Sequence, residues 1–203
     1  MVKQIEGDLI NDLLCPQRGE TIFDAGCGTG VFTIDFLAHG AQVVGLDISA
    51  PMLTFARSKT GNYSFFAVRG CMEHLPFKDN SFDKAVSVTA LEFIADAKSA
   101  VNELFRVTRP KGLVVVATLN SLSPWATRRK AKTERGQRHI LMNAFFRSPD
   151  ELLALSPFNG IVKTVVHFQK DDYPARAMRI EQFSRSQGLD TGAFVAARWQ
   201  KPE

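Results

Sequence analysis

The stretch Phe23-Asp24-Ala25-Gly26-Cys27-Gly28-Thr29-Gly30 decides the fold of this chain of 203 residues. It continues an apolar run at 21–23 that is typical of a buried strand, and a helical pattern follows it at 31–39. The glycines allow a sharp turn and let a ligand approach the main chain. Because ligands of open α/β sheets bind beyond the carboxyl ends of the strands, this loop is the first candidate for a ligand site.

Strand and helix patterns alternate along the rest of the chain. Seven strands are predicted, at residues 21–23, 41–46, 63–68, 82–88, 113–119, 161–168 and 193–199. Helical patterns occupy residues 3–14, 31–39, 49–59 and 96–107, and another helix begins at Ser148. The alternation predicts an α/β fold with a Rossmann-like, seven-stranded, mostly parallel sheet and helices on both faces. The alternating polarity of the last two strands predicts an antiparallel edge strand.

Composition narrows the class of protein. The length suits a single domain spanning residues 1–203. The first ten residues lack the basic region of a signal peptide, and the most apolar stretch, 113–119, is far shorter than the ~20 residues that span a bilayer. The three cysteines form no CxxC pair. A cytoplasmic protein with no membrane span and no metal site is expected.

The acidic residues near the loop favour one kind of nucleotide-like ligand over another. Asp24 lies directly before the glycines, and Asp47 ends the next strand, where a carboxylate can bind ribose hydroxyls. A dinucleotide would need a third glycine where the chain has Val31, and Asp24 would repel its pyrophosphate. S-adenosylmethionine has no phosphate and carries a cationic sulfonium and ammonium, which an acidic loop attracts.

Four motifs, in order over residues 19–120, resemble those of class I S-adenosylmethionine-dependent methyltransferases. They are the loop at 23–30, Gly45-Leu46-Asp47-Ile48-Ser49 with Met52 after it, the stretch at 73–83, and Arg106-Val107-Thr108-Arg109-Pro110-Lys111-Gly112. The resemblance is greatest to the type 11 branch, which contains quinone-biosynthesis C-methyltransferases. It implies S-adenosyl-L-methionine as the cofactor of an enzyme.

The resemblance also implies a set of cofactor-binding residues: Asp24, Gly26, Cys27, Gly28, Asp47, Ile48, Met52, Cys71, Met72 and Thr89. The glycine loop would line the methionine portion, Asp47 would bind the ribose, and Ile48 would cover the adenine. Cys71 departs from the family, which commonly has Asp there. Because a thiol is a poor acceptor for the adenine amino group, Glu73 is an alternative partner.

The resemblance implies a small-molecule acceptor and a lid, or acceptor-covering insertion, at about residues 121–147. Six basic residues lie in this segment between 127 and 138, against the single acid Glu134. They favour an anionic acceptor, although a solvated cationic helix would show the same pattern. Glu92, which follows the fourth strand, and His139 are candidate catalytic bases, with His74 as a further histidine.

Three alternatives stay open at this stage. An RNA methyltransferase would use the basic cluster as a phosphate contact, although the chain lacks both the Asn/Asp-Pro-Pro-aromatic and the Pro-Cys signatures of base-modifying enzymes. A catalytically silent, S-adenosylmethionine-binding regulatory protein would keep the pocket without turnover. A nicotinamide oxidoreductase is the third alternative. The oligomeric state is left open.

Overall fold

The structure, a computed structural model, describes residues 1–136 and 141–203. Its seven strands form one sheet in the order β3-β2-β1-β4-β5-β7-β6. The strands are β1 (Thr21–Ala25), β2 (Gln42–Asp47), β3 (Phe65–Arg69), β4 (Phe82–Val88), β5 (Thr108–Leu119), β6 (Gly160–Val165) and β7 (Phe194–Gln200). Strands β1 to β5 pair in parallel, and β7 pairs antiparallel with β5 and with β6. The predicted mostly parallel sheet with an antiparallel pair at one edge is confirmed.

Helices connect these strands. They are α1 (Val2–Leu14), α2 (Thr33–Ala38), α3 (Ala50–Thr60), α4 (Ala97–Val107), α5 (Pro124–Glu134), α6 (Pro149–Leu153) and α7 (Pro174–Ser186), with a short 3-10 helix at Leu91–Phe93. Ser148 and Glu151 form the expected capping box at the start of α6. None of the helices described is long and apolar enough to cross a membrane.

Two apolar clusters cover the sheet. In the first, α1 contributes Leu9 and Leu13, which pack with Phe36 of α2 and Phe194 of β7. The second contains one face of α4, including Leu104, together with residues of β4 and β5. Burying each such side chain contributes about 1.5–3 kcal/mol. The packing leaves the carboxyl ends of β1, β2 and β4 as the part of the sheet where loops meet.

The segment after β5 is ordered by a buried amide. Asn120 is fully buried, and its Nδ2 donates to the carbonyl oxygens of Asp190 (2.6 Å) and Gly192 (2.7 Å). Its Oδ1 accepts from the backbone N–H of Leu122 (3.0 Å). Ser123 then caps α5 by accepting from the backbone N–H of Ala126. Residues that have only weak periodicity in the sequence therefore enter a helix at a defined position.

Replacing Asn120 by Ala should lower the free energy of unfolding by about 1–3 kcal/mol, because the carbonyls of Asp190 and Gly192 and the N–H of Leu122 lose their partner, and the bond to Gly192 is fully buried. Ser121→Ala is the matched control, since that side chain makes no hydrogen bond within the described residues. Urea unfolding followed by circular dichroism measures both changes. Equal stability of the two variants would contradict the role given to Asn120.

Candidate cofactor site

A cavity of about 950 Å³ lies where β1, β2 and β4 end. Strand order reverses at β1, which is the position where open α/β sheets bind ligands. The cavity is lined by nine of the ten predicted cofactor residues, namely Gly26, Cys27, Gly28, Asp47, Ile48, Met52, Cys71, Met72 and Thr89. Asp24 is the exception. The tertiary fold thus brings together residues that are up to 63 positions apart in the chain.

The glycine loop is held against β2 and β4. The backbone N–H groups of Gly26 and Cys27 both donate to the carbonyl oxygen of Leu46, at 2.7 and 3.0 Å. Gly26 has a φ of +74°, and a Cβ built there would lie 2.3 Å from the Cβ of Ala90. Only glycine fits this position, because both the left-handed backbone and the close approach exclude a side chain.

Asp47 joins the loop to the next helix. One carboxylate oxygen accepts from the backbone N–H of Gly28 (2.9 Å), and the other accepts from that of Ser49 (2.8 Å). Ser49 is in turn the N-cap of α3. A carboxylate has about four acceptor positions, so Asp47 keeps lone pairs for a ligand in the cavity that it lines. A vicinal diol, such as that of a ribose, suits these remaining acceptors.

Apolar side chains stand exposed on the far side of Asp47. Ile48 is 70% exposed, and Met52 and Phe93 are also exposed around the same cavity. Such surfaces are suited to a flat aromatic group such as adenine. Glu73 lines the cavity together with Cys71, so the carboxylate that the sequence offered in place of the missing Asp is within the same pocket.

Asp24 lies beneath the loop rather than in the cavity wall. It is 2% exposed, and its Oδ2 accepts from the hydroxyl of Thr33 at 2.6 Å. Burial raises the pKa of this carboxyl to about 7, the Thr33 hydrogen bond lowers it, and Asp47 raises it further. Asp24 therefore fits the supporting role that the resemblance implied. With a pKa of about 7, this carboxyl is partly ionised at neutral pH.

Cys27 and Thr89 contribute backbone and shape. Burial, with the carboxylates of Asp24 and Asp47, raises the pKa of the Cys27 thiol well above its ordinary value, so this residue stays neutral and unreactive. Thr89 has a positive φ of 49°, and its N–H donates to the carbonyl of Ala117 (2.9 Å). This backbone conformation is costly for a β-branched residue, and it turns the chain into the cavity wall at the end of β4.

The candidate bases have different positions. Glu92 is 1% exposed and does not line the cavity; its Oε2 accepts from the hydroxyl of Thr118 at 3.1 Å. Burial raises the pKa of Glu92, while Arg147 and Arg129 lower it. His74 is exposed and outside the cavity lining. His139 lies outside the described residues, so its candidacy stays a prediction.

Helix α1 supplies cavity residues that the sequence interpretation missed. Lys3 and Glu6 line the cavity beside Phe32, and burial raises the pKa of Glu6 to about 7, against the lowering influence of Arg129. The signal in the sequence was an acidic residue between apolar positions of an amphipathic helix. Periodicity alone does not reveal which end of the sheet such a helix covers.

Comparison with known proteins gives the class. A family model described as a methyltransferase domain matches residues 23–116. A malonyl-[acyl-carrier protein] O-methyltransferase of Yersinia pestis is 35% identical over 197 residues, covering 87% of this chain and 73% of that protein. A demethylmenaquinone methyltransferase of Beutenbergia cavernae is 36% identical over 115 residues, covering 57% of this chain and 47% of that protein.

Solved structures agree on the fold. An S-adenosylmethionine-dependent methyltransferase of Thermotoga maritima has a TM-score of 0.71 at 24% identity, covering 98% of this chain and 89% of its own. A phosphoethanolamine N-methyltransferase of Haemonchus contortus, solved with S-adenosyl-L-methionine, has a TM-score of 0.70 at 15% identity, covering 97% of this chain and 52% of its own.

This chain belongs to the S-adenosylmethionine-dependent methyltransferases. The cavity fits that cofactor, because Asp47 keeps free acceptors at the loop and apolar side chains stand exposed beside it. The predicted enzyme class, fold and cofactor are confirmed.

The two loop glycines should respond differently to Ala. Gly26→Ala adds a clash with Ala90 to the strain of a positive φ, and should lower the free energy of unfolding by about 2–5 kcal/mol. Gly28→Ala meets no atom within 4 Å, and should cost about 1–2 kcal/mol from backbone strain alone. Urea unfolding compares the two, and equal losses would contradict the packing described for Gly26.

Asp24→Asn should remove a pH dependence. The pKa of Asp24 is raised in the folded state from 3.8 to about 7, so the free energy of unfolding of the wild type should fall as pH rises from 4 to 7. The difference in melting temperature, variant minus wild type, should therefore increase from pH 4 to pH 7 and stay constant above that range.

The affinity of the wild type and of Asp24→Asn for the cofactor should depend on pH in the opposite direction to stability. A cationic ligand favours the ionised carboxyl, so wild-type affinity for S-adenosylmethionine should rise between pH 5.5 and 7.5. The affinity of the Asn variant should be weaker and should rise less steeply, because Glu6, whose pKa is also raised to about 7, still ionises in the cavity lining. Calorimetry measures both. If the affinities of the two proteins changed with pH in parallel, the charge of Asp24 would not contribute to cofactor binding.

Proposed function

We propose that this enzyme transfers a methyl group to an oxygen of a carboxylate on a small acyl acceptor, of which a malonyl group is the model. The observation that carries the proposal is a pair of guanidinium groups, those of Arg129 and Arg147, near the end of β4. Both are partly desolvated, since burial lowers the pKa of each while Glu92 raises it. The named activity of the Yersinia relative supports the same acceptor class.

Charge is divided between the two ends of the site. Asp24 and Asp47 lie at the glycine loop, and the two guanidinium groups lie toward α5 and residues 145–147. The first end suits a cationic cofactor and the second suits an anionic acceptor. We also propose that residues 121–147 cover the acceptor as a lid, within one methyltransferase domain spanning 1–203 in the cytoplasm.

The glycine loop and Asp47 would hold S-adenosylmethionine, which would supply an electrophilic methyl group. An acceptor oxygen would bond to that carbon in place of sulfur, and the S–C bonding pair would remain on the neutral thioether product. A carboxylate is already ionised at neutral pH, so the chain needs no general base for this acceptor. Its residues have to align the two ligands and exclude water. Phe93 and Ile94 line the cavity after β4 and supply apolar surface for that purpose.

The test uses labelled S-adenosylmethionine with the malonyl thioester of N-acetylcysteamine, a reduced naphthoquinone and total RNA as parallel acceptors. Label should enter the malonyl compound, and mild alkali should release it as methanol, because methyl esters hydrolyse and C-methyl groups do not. Label in the quinone or RNA, or alkali-stable label, would overturn the proposal. Cofactor binding without transfer to any of the three would favour a regulatory binder.

A further inference from the structure

Arg129 on α5 has a buried donor with no partner. Its Nη1 is inaccessible to solvent and makes no hydrogen bond within the part of the chain that is described. Buried polar groups are nearly always hydrogen-bonded, and a guanidinium offers five N–H donors. Arg129 as a whole is half-buried, and a buried donor without a hydrogen-bond partner costs free energy unless a ligand supplies that partner.

The guanidinium is held in place by aromatic rings. It lies 5.8 Å from the ring centroid of Trp125 and 5.6 Å from that of Phe146. Trp125 is itself fixed, because its Nε1 donates to the carbonyl of Phe168 at 2.7 Å. The two rings attract the cation without using its hydrogen-bond donors. The rings therefore hold the guanidinium in a fixed position and leave the hydrogen-bonding capacity of its Nη1 unused.

Arg129 lines two clefts beside α5 rather than the cofactor cavity itself, and its contacts link it to that cavity. It packs on Phe146, and the N–H of the neighbouring Phe145 donates to the carbonyl of Glu92 (2.8 Å), directly before Phe93 in the cavity lining. Arg129 lowers the pKa of Glu6, which lines that cavity from α1, and the pKa of Glu92, which follows β4. No ion pair within 4.0 Å joins Arg129 to either group among the described residues. Burial raises the pKa of both carboxyls, that of Glu6 to about 7, so at neutral pH the pair carries less than its full two negative charges.

The neighbouring arginines are already engaged. Nη1 of Arg147 donates to the carbonyls of Phe145 (3.1 Å) and Leu91 (3.3 Å). Arg128 is half exposed and pairs with Asp171 at 3.2 Å. Arg129 differs from both in having a desolvated and unpaired donor next to the site.

We propose that Arg129 is the anion-binding residue of the acceptor subsite and determines specificity for a carboxylate. A guanidinium forms short, paired hydrogen bonds with a carboxylate, which fixes the direction of the acceptor as well as its charge. This inference rests on the proposed function, since it names the residue that would receive the acceptor.

The arrangement has a consequence for turnover. Methyl transfer converts the bound carboxylate into a neutral ester, which cannot keep a charge-assisted pair with Arg129. The product is therefore held less tightly than the acceptor. A single guanidinium would thus select the acid, reject amides and esters, and favour release after one transfer.

The test measures acceptor binding separately from turnover. Trp125 and Trp199 are the two tryptophans of the chain, and Trp125 lies beside Arg129. With S-adenosylhomocysteine bound, the malonyl thioester of N-acetylcysteamine should change tryptophan fluorescence, and the acetyl thioester, which lacks the carboxylate, should bind about 10- to 100-fold more weakly. Because no transfer occurs, this readout is independent of the proposed reaction.

Arg129→Gln should weaken malonyl thioester binding about 10- to 100-fold and remove the preference over the acetyl compound. Arg129→Lys keeps the charge without the paired donors and should show an intermediate loss of malonyl thioester affinity. This variant also provides the test if Arg129→Gln does not fold. Arg128→Gln is the matched control and should change binding by less than about twofold, because exposed ion pairs contribute little. Calorimetric affinity for S-adenosylhomocysteine should be the same in all three.

Unchanged malonyl binding and an unchanged acid preference in the folded Arg129 variants would overturn the subsite. An equal loss in the Arg128 control would also overturn it, since that result indicates general attraction by the basic helix. Binding that depends on Arg129 without any methyl transfer would support the subsite and reject carboxylate methylation.

Discussion

The carboxylate of Asp47 holds together the elements on which the site depends. It accepts from the N–H of Gly28 in the loop and from the N–H of Ser49 at the start of α3. The end of β2, the glycine loop and the next helix are thereby fixed in one arrangement. The loop also packs closely against Ala90 at Gly26, so no side chain fits at that position. Acceptors not used by this network remain for the cofactor.

Charge is partitioned around that constraint. Carboxylates lie at and beneath the loop, and partly desolvated guanidinium groups lie toward the segment after β5. Buried charges are unfavourable unless they are compensated, so each end of the site is suited to a ligand of opposite sign. This division of charge suits a cationic methyl donor at the loop and supports the proposal of an anionic acceptor toward α5. The buried Asn120 network holds the guanidinium-bearing helix in position.

The predictions from sequence and the structure agree most where the signal is local. Apolar runs and, for the last two strands, alternating patterns identified the seven strands. The acidic residues at the loop and at Asp47, with the family resemblance, identified the cofactor class. Nine of the ten predicted residues line one cavity. Asp24 belongs to the layer beneath, and Glu92 is buried against Thr118 instead of facing the cavity. Both differences arise because the sequence indicates where a strand ends, but not how deeply the side chains near that end, such as Asp24 and Glu92, are buried.

The sequence by itself determined the α/β architecture and the acidic loop, since periodicity, glycine positions and strand ends are properties of short segments. Only the tertiary structure decided that Glu6 lines the cofactor cavity and that Arg129 influences the pKa values of both Glu6 and Glu92, because the three residues lie on elements far apart in the chain. It also decided that the Nη1 of Arg129 is desolvated while its neighbour Arg128 faces solvent. Burial depends on the packing of distant elements, and no local pattern encodes it.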